Sequence, residues 1–192
     1  MWLLLQDETL VPMKTVYLIR HAKSSWDDLT LPDTERPLND RGLRDAPFMG
    51  MQLRAKAARI DRLITSPAKR ALVTATYFAV ALGMPAEQIL VEPSIYEAQP
   101  EDILSIIRAL SENYTTVALF GHNPTWTALT NMFGGLEEPL DNVPTCGIIR
   151  IDADIEHWFD FTESSGFITE FHFPKQFFKW KKHSSFFGVY CF

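Results

Sequence analysis

Cysteines and long hydrophobic runs are scarce in this sequence. Only Cys146 and Cys191 among the 192 residues are cysteines, and they lie far apart without a Cys-x-x-Cys pair. We therefore expect neither a disulfide framework nor a zinc ribbon, but a reducing compartment, with the cytoplasm as the default location. No segment approaches the roughly 18 consecutive apolar residues of a membrane span, so we expect no association with a membrane.

Basic residues are also too few for a general nucleic-acid-binding protein. The chain has 18 Lys and Arg residues against 24 Asp and Glu residues, which gives a formal net charge of −6 at pH 7. Because affinity for a phosphodiester backbone needs a basic surface, this balance argues against a general nucleic-acid-binding protein. A cluster of positive charge would have to be confined to a pocket.

Short motifs of several other enzyme classes are absent. The sequence has no GxxxxGKS or GxxxxGKT loop for nucleotide phosphates, no GxGxxG for a dinucleotide and no GxSxG turn for a serine nucleophile. His157, His172 and His183 lack the HxH or HxxxH spacing of metal ligands. We therefore predict neither a metal nor a cofactor.

Both ends of the chain differ in pattern from the segment between them. The start, "MWLLLQDETLVPMK", has a four-residue apolar patch followed by acids, which is too short for the core of a signal peptide. Because Met13 could equally be the native start, we interpret residues 1–13 as an N-terminal extension and residues 14–192 as one domain. The basic and aromatic tail "KQFFKWKKHSSFFGVYCF" is interpreted as a packed or partner-covered terminus, with a membrane or ligand role as the alternative. No oligomeric state is predicted.

Strand and helix patterns alternate along most of the chain. Buried strands are predicted at "TVYLIR", "DRLITS" and "TTVALFGHNP", with intervening helices at "NDRGLRDAPFMGMQLRAKAA", "AKRALVTATYFAVALG" and "PEDILSIIRALSE". A further helix begins at "TWTALTNMF" and stops at Gly134, and strand patterns follow from "CGIIRIDAD" onward, with "HWFDF" paired to "GFITEFHF". This order predicts an α/β sandwich with a mainly parallel sheet, finished by antiparallel strands.

Polar and titratable side chains follow three of the predicted strands. Arg20 and His21 end the first strand, Arg70 lies one turn into the helix after the second, and His122 and Asn123 follow the "VALF" strand. Ligands of open α/β sheets bind at the carboxyl ends of the strands. Each residue alone would be ordinary, but their coincidence at one edge of the sheet predicts a site there.

Two arginines and two histidines without partner acids suit a phosphoryl group. Arginine stays protonated and presents a planar fork that matches phosphate oxygens, so we predict that Arg20 and Arg70 clamp a dianion. A neutral imidazole is a competent nucleophile near pH 7. If His21 attacks phosphorus through Nε2, a backbone carbonyl should hold its Nδ1 proton. His122 would then donate to the equatorial oxygens, where charge spreads in the transition state.

The three strand-end motifs, "LIRHAKS", "TSPAKRALVTA" and "LFGHNP", resemble those of the histidine phosphatase superfamily, which also contains the cofactor-dependent phosphoglycerate mutases. The resemblance spans most of residues 14–174. Within the superfamily, "RHAKSSWDD", "RPLNDRG", "IYEAQPEDIL" and "TCGIIRID" are similar to the compact SixA-like phosphohistidine phosphatases. This resemblance implies a three-layer sandwich of the phosphoglycerate mutase type, without the large insertion that caps the pocket in the mutases.

The same resemblance implies roles for individual residues. His21 would be phosphorylated during turnover, and Arg20, Arg70 and His122 would complete the phosphate pocket. Ala22 stands where many members have glycine, and it should fit if the backbone there keeps φ negative.

Several residues close to these motifs have two interpretations each. Glu97 lies where the larger superfamily places an acid/base carboxylate, but it would equally suit an exposed loop. Ser24 is either a phosphate contact or a turn serine, and Asn39 is either a helix cap or a site contact. Ser66 is predicted to cap the helix that follows it. We count Glu97 as a candidate catalytic residue and Ser24, Asn39 and Asn123 as candidate substrate contacts.

The function implied is hydrolysis of phosphohistidine in proteins through a covalent phosphohistidine on the enzyme, without a metal. A pocket without a cap would admit a phosphorylated protein side chain. The alternatives are a phosphomonoesterase for small metabolites or phosphoserine, and a phosphate-binding scaffold without turnover. The expected partner is therefore a phosphorylated protein or a small phosphate ester.

Overall fold

The computed structural model describes residues 13–56 and 59–178. Apart from Met13, the predicted N-terminal extension lies outside the described residues, as does most of the basic and aromatic tail. The strands in the described part of the chain are β1 (Met13–Arg20), β2 (Arg62–Thr65), β3 (Ile89–Val91), β4 (Thr116–Gly121), β5 (Ile148–Asp154) and β6 (Gly166–His172). They form one sheet in the order β3-β2-β4-β1-β5-β6. The first four strands pair in parallel, whereas β5 pairs antiparallel with β1, and β6 with β5.

Helices cover both faces of this sheet. The α-helices of the described residues are α1 (Asp40–Lys56), α2 (Lys69–Leu82), α3 (Pro100–Arg108) and α4 (Thr125–Thr130). Alternate side chains of β1 point to opposite faces, as the period of two in a strand requires. Val16 and Leu18 are buried with residues of α3 and α4, whereas Tyr17 and Ile19 are buried with residues of α1 and α2. The predicted three-layer sandwich is confirmed.

Helix boundaries follow the predicted capping signals at two positions. Oδ1 of Asn39 accepts a hydrogen bond from the backbone N–H of Gly42 at 3.0 Å, so this side chain caps the start of α1. Gly83 ends α2 in the left-handed conformation, with φ of 72°, which a residue without Cβ adopts at least cost. The helix α4 ends earlier than predicted, at Thr130, because the chain then tightens into i to i+3 turns that bury Phe133.

The strand predicted at "HWFDF" is wrong. Residues Trp158–Asp160 form a 3-10 helix, and β6 pairs with β5 instead. Trp158 is fully buried; its backbone N–H donates to Oε1 of Glu112 and its indole N–H donates to the carbonyl of Tyr114. These bonds to the segment before β4 hold the aromatic residues in a turn, although aromatic side chains are typical of strands.

The connections around the carboxyl edge of the sheet stay close to the body of the protein. The longest of them among the described residues are 21–39 and 131–147. Leu38 of the first connection is buried with residues of α1 and α2, and Gly134 of the second forms an isolated bridge with Phe167 of β6. No insertion large enough to cap the edge is present in this part of the chain. None of its helices is long and apolar enough to cross a membrane.

Candidate active site

The carboxyl ends of β1 and β4 meet at one edge of the sheet, because the two strands are parallel neighbours. Arg20 pairs in register with Gly121, and the backbone N–H of His21 donates to the Gly121 carbonyl at 3.0 Å. His122 follows directly, and its ring centroid lies 5.1 Å from that of His21. The predicted convergence of the strand ends is confirmed for these two histidines.

His21 is buried, and one of its ring nitrogens is engaged by the backbone. Its Nδ1 lies 2.6 Å from the carbonyl oxygen of Ala22. Because a carbonyl oxygen only accepts hydrogen bonds, Nδ1 carries the proton and Nε2 retains its lone pair. This is the arrangement predicted for a nucleophilic imidazole. Ala22 fits as expected, since Glu97 and Cys146 are the only non-glycine residues with positive φ in the described part of the chain.

The end of β1 is fixed from behind by Cys146. Its backbone N–H donates to the carbonyls of both Arg20 and His21, each at 3.1 Å. Cys146 is fully buried and has φ of 60°, a conformation that costs a non-glycine residue about 1–3 kcal/mol and that persists where its surroundings determine it. In this conformation the N–H points at the end of β1 and holds the backbone on both sides of the Arg20–His21 peptide bond.

Both histidines at this edge are neutral at pH 7. Burial lowers the pKa of His21 to about 3; the hydrogen bond to Ala22 opposes this shift, whereas His122 and the arginines add to it. Burial also lowers the pKa of His122 to about 4, and the positive charge of Arg70 acts in the same direction. An uncharged imidazole keeps the lone pair that attack on phosphorus needs.

We expect neither histidine to take up a proton between pH 8 and pH 5. In the unfolded chain His21 binds a proton below about pH 6.5, whereas in the folded protein it binds one only near pH 3. The free energy of unfolding should therefore decrease as the pH falls between these two values. An NMR titration with free histidine as internal reference should show flat imidazole shifts for His21 and His122. An inflection near pH 6.5 that disappears in His21→Asn or His122→Asn would contradict the expected effect of burial.

His122 is supported by Ser66 at the end of β2. Nε2 of His122 lies 2.8 Å from Oγ of Ser66, which also accepts a bond from the backbone N–H of Ala68 at 3.3 Å. The Ser66 hydroxyl can donate to Nε2, and in that tautomer the ring proton of His122 lies on Nδ1. The prediction that Ser66 caps the next helix is wrong, because α2 begins at Lys69 and Ala68 occupies the capping position.

Arg20 and Asn123 are held by one segment of the loop before β5. Nη1 of Arg20 donates to the Val143 carbonyl at 2.6 Å and to Oδ1 of Asn142 at 3.0 Å. Nδ2 of Asn123 donates to the same two oxygens, at 3.2 and 2.8 Å respectively. Asn142 was not predicted, because its contact with β1 joins residues far apart in the sequence.

Two buried nitrogens at this edge make no hydrogen bond within the described part of the chain. They are Nε of Arg20 and Nδ1 of His122. A buried donor without an acceptor costs about 1–3 kcal/mol, so such a site is prepared for an acceptor that arrives from outside. The oxygens of a phosphoryl group would supply acceptors for both nitrogens.

Arg70 has an acidic partner, which corrects the expectation of a site without acids. Its Nη1 donates to the backbone carbonyl of Asp33 at 2.6 Å, and its Nη2 donates to Oδ2 of the same residue at 2.8 Å. Partial burial raises the pKa of Asp33, but hydrogen bonds from Tyr96, Arg70 and Arg36 outweigh it and hold that pKa at about 2. Asp33 is therefore a carboxylate at pH 7.

The other predicted site residues, Ser24, Asn39 and Glu97, make contacts away from the two histidines. Oγ of Ser24 accepts a bond from Nη2 of Arg36 at 2.8 Å, and Asn39 caps α1. Glu97 is exposed and lines an open groove of about 630 Å³. Its neighbour Tyr96 packs edge-on against the His122 ring, with 5.8 Å between centroids. Tyr96 was not predicted, because its contacts with His122 and Asp33 join residues far apart in the sequence.

A metal site is not formed by the described residues. No group of three or more His, Cys, Asp or Glu side chains is placed to hold an ion in residues 13–56 and 59–178. The positive charge at the carboxyl edge of the sheet comes from Arg20 and Arg70.

Comparison with known proteins assigns the family. Residues 16–99 match the model of the histidine phosphatase superfamily, branch 1. An uncharacterized protein of Mycobacterium tuberculosis is 31% identical over 167 residues, which cover 82% of this chain and 100% of that protein. The chain belongs to the histidine phosphatase superfamily.

Solved structures place the chain within that superfamily. SixA of Agrobacterium tumefaciens, assigned as a phosphohistidine phosphatase, has 28% identity and a TM-score of 0.70, covering 84% of this chain and 98% of that one. Phosphoglycerate mutase of Bacillus anthracis has 14% identity and a TM-score of 0.63, covering 84% and 94% of the two chains, and shares the fold. The chain is a SixA-like member with a phosphoglycerate mutase-like fold, and this membership supports phosphatase activity.

Proposed function

We propose that this protein is a phosphohistidine phosphatase, which transfers the phosphoryl group of a phosphorylated protein first to His21 and then to water. The observation that carries the proposal is the 2.6 Å contact between Nδ1 of His21 and the Ala22 carbonyl, because it leaves Nε2 as the nucleophile. At the same edge, Arg20 and Arg70 supply positive charge, and His122 supplies a further donor for the phosphoryl oxygens.

In the first step, Nε2 of His21 attacks phosphorus in line with the leaving group. The new N–P bond forms as the bond from phosphorus to the substrate imidazole breaks, and the leaving imidazole takes the electron pair while its other nitrogen keeps its proton. The arginines and His122 meet the charge on the three equatorial oxygens. The proton of His21 stays on Nδ1 and is donated to the Ala22 carbonyl, and this hydrogen bond stabilises the phosphorylated imidazolium.

In the second step, a water molecule attacks the phosphorylated His21. An O–P bond forms, the N–P bond breaks, and its electron pair returns to Nε2. The proton of the water passes to solvent, and inorganic phosphate leaves. Neutral His21 is thereby restored for the next turnover.

The proposed substrate is phosphohistidine carried on a protein. Leu38 and Gly134 hold the connections 21–39 and 131–147 against the body, and the absence of a large insertion at this edge in the described residues suits a substrate side chain on another protein. The assignment of the Agrobacterium SixA as a phosphohistidine phosphatase supports the same substrate. The alternative is a phosphomonoesterase for small metabolites or phosphoserine, favoured by a carboxylate, Glu97, beside the residue that packs on His122. A phosphate-binding scaffold would have no use for a free Nε2.

We further propose that the reaction needs no metal and takes place in the cytoplasm. The two arginines provide the positive charge that a metal ion would otherwise supply, and neutral His122 adds a hydrogen-bond donor. The scarcity of cysteine supports a reducing compartment.

A substrate panel tests the proposed function. The purified protein should release phosphate from a histidine-phosphorylated protein faster than from p-nitrophenyl phosphate, phosphoserine or sugar phosphates. EDTA should leave the rate unchanged, and vanadate should inhibit, because it mimics five-coordinate phosphorus. Preference for a phosphate ester would favour the phosphomonoesterase, and binding without turnover would favour the scaffold. Loss of activity in EDTA with recovery on adding a divalent ion would contradict metal independence.

Glu97→Gln separates the two substrate classes. A protonated imidazole is a good leaving group, since its pKa is about 6.5, so phosphohistidine needs little help from an enzymic acid. An alkoxide is a poor leaving group, and a proton donor at Glu97 would matter for it. We expect Glu97→Gln to leave phosphohistidine hydrolysis within about tenfold, or roughly 1.4 kcal/mol in barrier, while most activity on esters is lost.

The control for this substitution is Glu101→Gln, which removes an exposed carboxylate in the first turn of α3. Equal losses of activity on both substrate classes in Glu97→Gln alone would assign Glu97 to positioning or to water activation. No loss of activity on either substrate class would identify Glu97 as an exposed loop residue without a catalytic role.

A further inference from the structure

We infer that Asp33 is a positioning residue, which holds the guanidinium of Arg70 in the orientation that binds the phosphoryl group. The inference rests on the proposed function and concerns the same pocket. Asp33 accepts from both ends of the Arg70 fork, through its backbone carbonyl at 2.6 Å and through Oδ2 at 2.8 Å. Two bonds from one planar group to one residue fix the plane of that group, which a single bond would not.

The two bonds leave most of the Arg70 donors free. A guanidinium carries five N–H groups, and Asp33 engages two of them. Nε and one N–H on each terminal nitrogen remain for phosphoryl oxygens. Arg70 lies on α2 and is only 6% exposed, whereas Asp33 lies in the connection between β1 and α1. The contact therefore fixes a buried cation from outside its own helix.

Asp33 is itself held on both of its carboxylate oxygens. Oδ1 accepts from Nη1 of Arg36 at 2.9 Å, and Oδ2 also accepts from the Tyr96 hydroxyl at 2.9 Å. Arg36 is anchored in turn by its bond to Ser24. The Tyr96 ring packs edge-on against His122. A continuous set of contacts thus joins Arg70, through Asp33, to the second histidine of the site.

Because Asp33 is negatively charged, its two conceivable roles predict opposite changes in phosphate affinity when the carboxylate is removed. A carboxylate beside Arg70 repels an incoming phosphate dianion, so loss of its charge alone would tighten phosphate binding. Loss of the geometry that it imposes on Arg70 has the opposite effect, because misplaced donors bind the transition state poorly. The two roles, internal competitor and positioning residue, therefore predict opposite changes.

The test compares Asp33→Asn with Glu35→Gln, a matched loss of one acid in the same 3-10 helix, Asp33–Glu35. We expect kcat on a histidine-phosphorylated protein to fall at least about tenfold in Asp33→Asn. Glu35→Gln should stay within about twofold of wild type. The dissociation constant of inorganic phosphate, measured by calorimetry, should rise in Asp33→Asn. Tighter phosphate binding, or unchanged kcat and unchanged phosphate affinity, would overturn the inference.

A second comparison separates positioning from a merely structural role. In an Arg70→Ala background, Asp33→Asn should cause no further loss of kcat and should restore part of it, since the guanidinium that Asp33 orients is gone and only the repulsion by its carboxylate remains. A full additional loss would overturn the inference. If Asp33→Asn fails to fold, Tyr96→Phe replaces it as the test. This variant removes one hydrogen bond to Asp33 and retains the ring that packs on His122, so it should also lower kcat. An unchanged kcat would overturn the inference. Calorimetry measures phosphate binding and does not depend on turnover. If the wild-type protein hydrolyses no substrate, the proposed function is rejected, but the effect of Asp33 on phosphate binding can still be measured.

Discussion

His21→Ala is expected to abolish turnover while the protein remains folded. In a covalent mechanism no other group can replace the nucleophile, and its removal lowers kcat by several orders of magnitude in enzymes that form a covalent intermediate. We expect a loss of at least about a thousandfold on a histidine-phosphorylated protein. The fold should persist, because the His21 ring bonds to the neighbouring Ala22 carbonyl, and the backbone bonds of His21 to Gly121 and Cys146 remain in the variant. Initial rates and a thermal unfolding curve measure the two effects.

The matched control is His157→Ala. His157 is half exposed and stacks on Phe159, in the segment before β6. Its removal should leave kcat close to that of wild type. Retention of more than a few per cent of activity by a clean preparation of His21→Ala would contradict the covalent mechanism.

Arg70→Ala is expected to produce the next largest loss, about a hundredfold to a thousandfold in kcat/KM. Two effects act together. The transition state loses a charged donor, which is worth a few kcal/mol where water is excluded. Asp33 keeps its charge but loses a cationic partner, so its carboxylate then repels the phosphoryl group. Arg70→Lys should recover little of this loss, because an ammonium group lacks the planar fork that engages Asp33 and the phosphoryl oxygens at fixed angles.

Arg62→Ala serves as the control for Arg70→Ala. Arg62 begins β2, at the opposite end of that strand from Ser66, and it donates to the Tyr114 hydroxyl. Its removal takes away one positive charge without touching the carboxyl edge. Similar losses in both variants would show that total charge, rather than the bidentate contact, determines the rate.

The features that could be predicted from the sequence are those set by local pattern. The strand period of two placed Val16 and Leu18 on one face and Tyr17 and Ile19 on the other. Because parallel strands end at a common edge, the positions of His21 and His122 in the sequence were enough to bring them together. The tautomer of His21 followed from the chemistry that a nucleophilic imidazole requires.

The features that could not be predicted join residues far apart in the chain. Asp33 reaches Arg70 across the β1 to α1 connection, and Asn142 reaches Arg20 from the loop before β5. No periodicity marks an aspartate that will meet an arginine of another element. Trp158 shows the same limit in the fold, since its bonds to Glu112 and Tyr114 override the strand preference of its neighbours.

A phosphoryl group trapped on His21 is the most direct test of the proposed mechanism. Wild-type protein mixed with ³²P-labelled substrate and quenched within the first turnover should carry a label that is lost in acid and retained in base, as a phosphorus–nitrogen bond requires. Peptide mapping should place it on His21, and His21→Ala should take up none. A label that is stable in acid, one that maps to another residue, or hydrolysis without any labelled protein at any quench time would contradict transfer through His21.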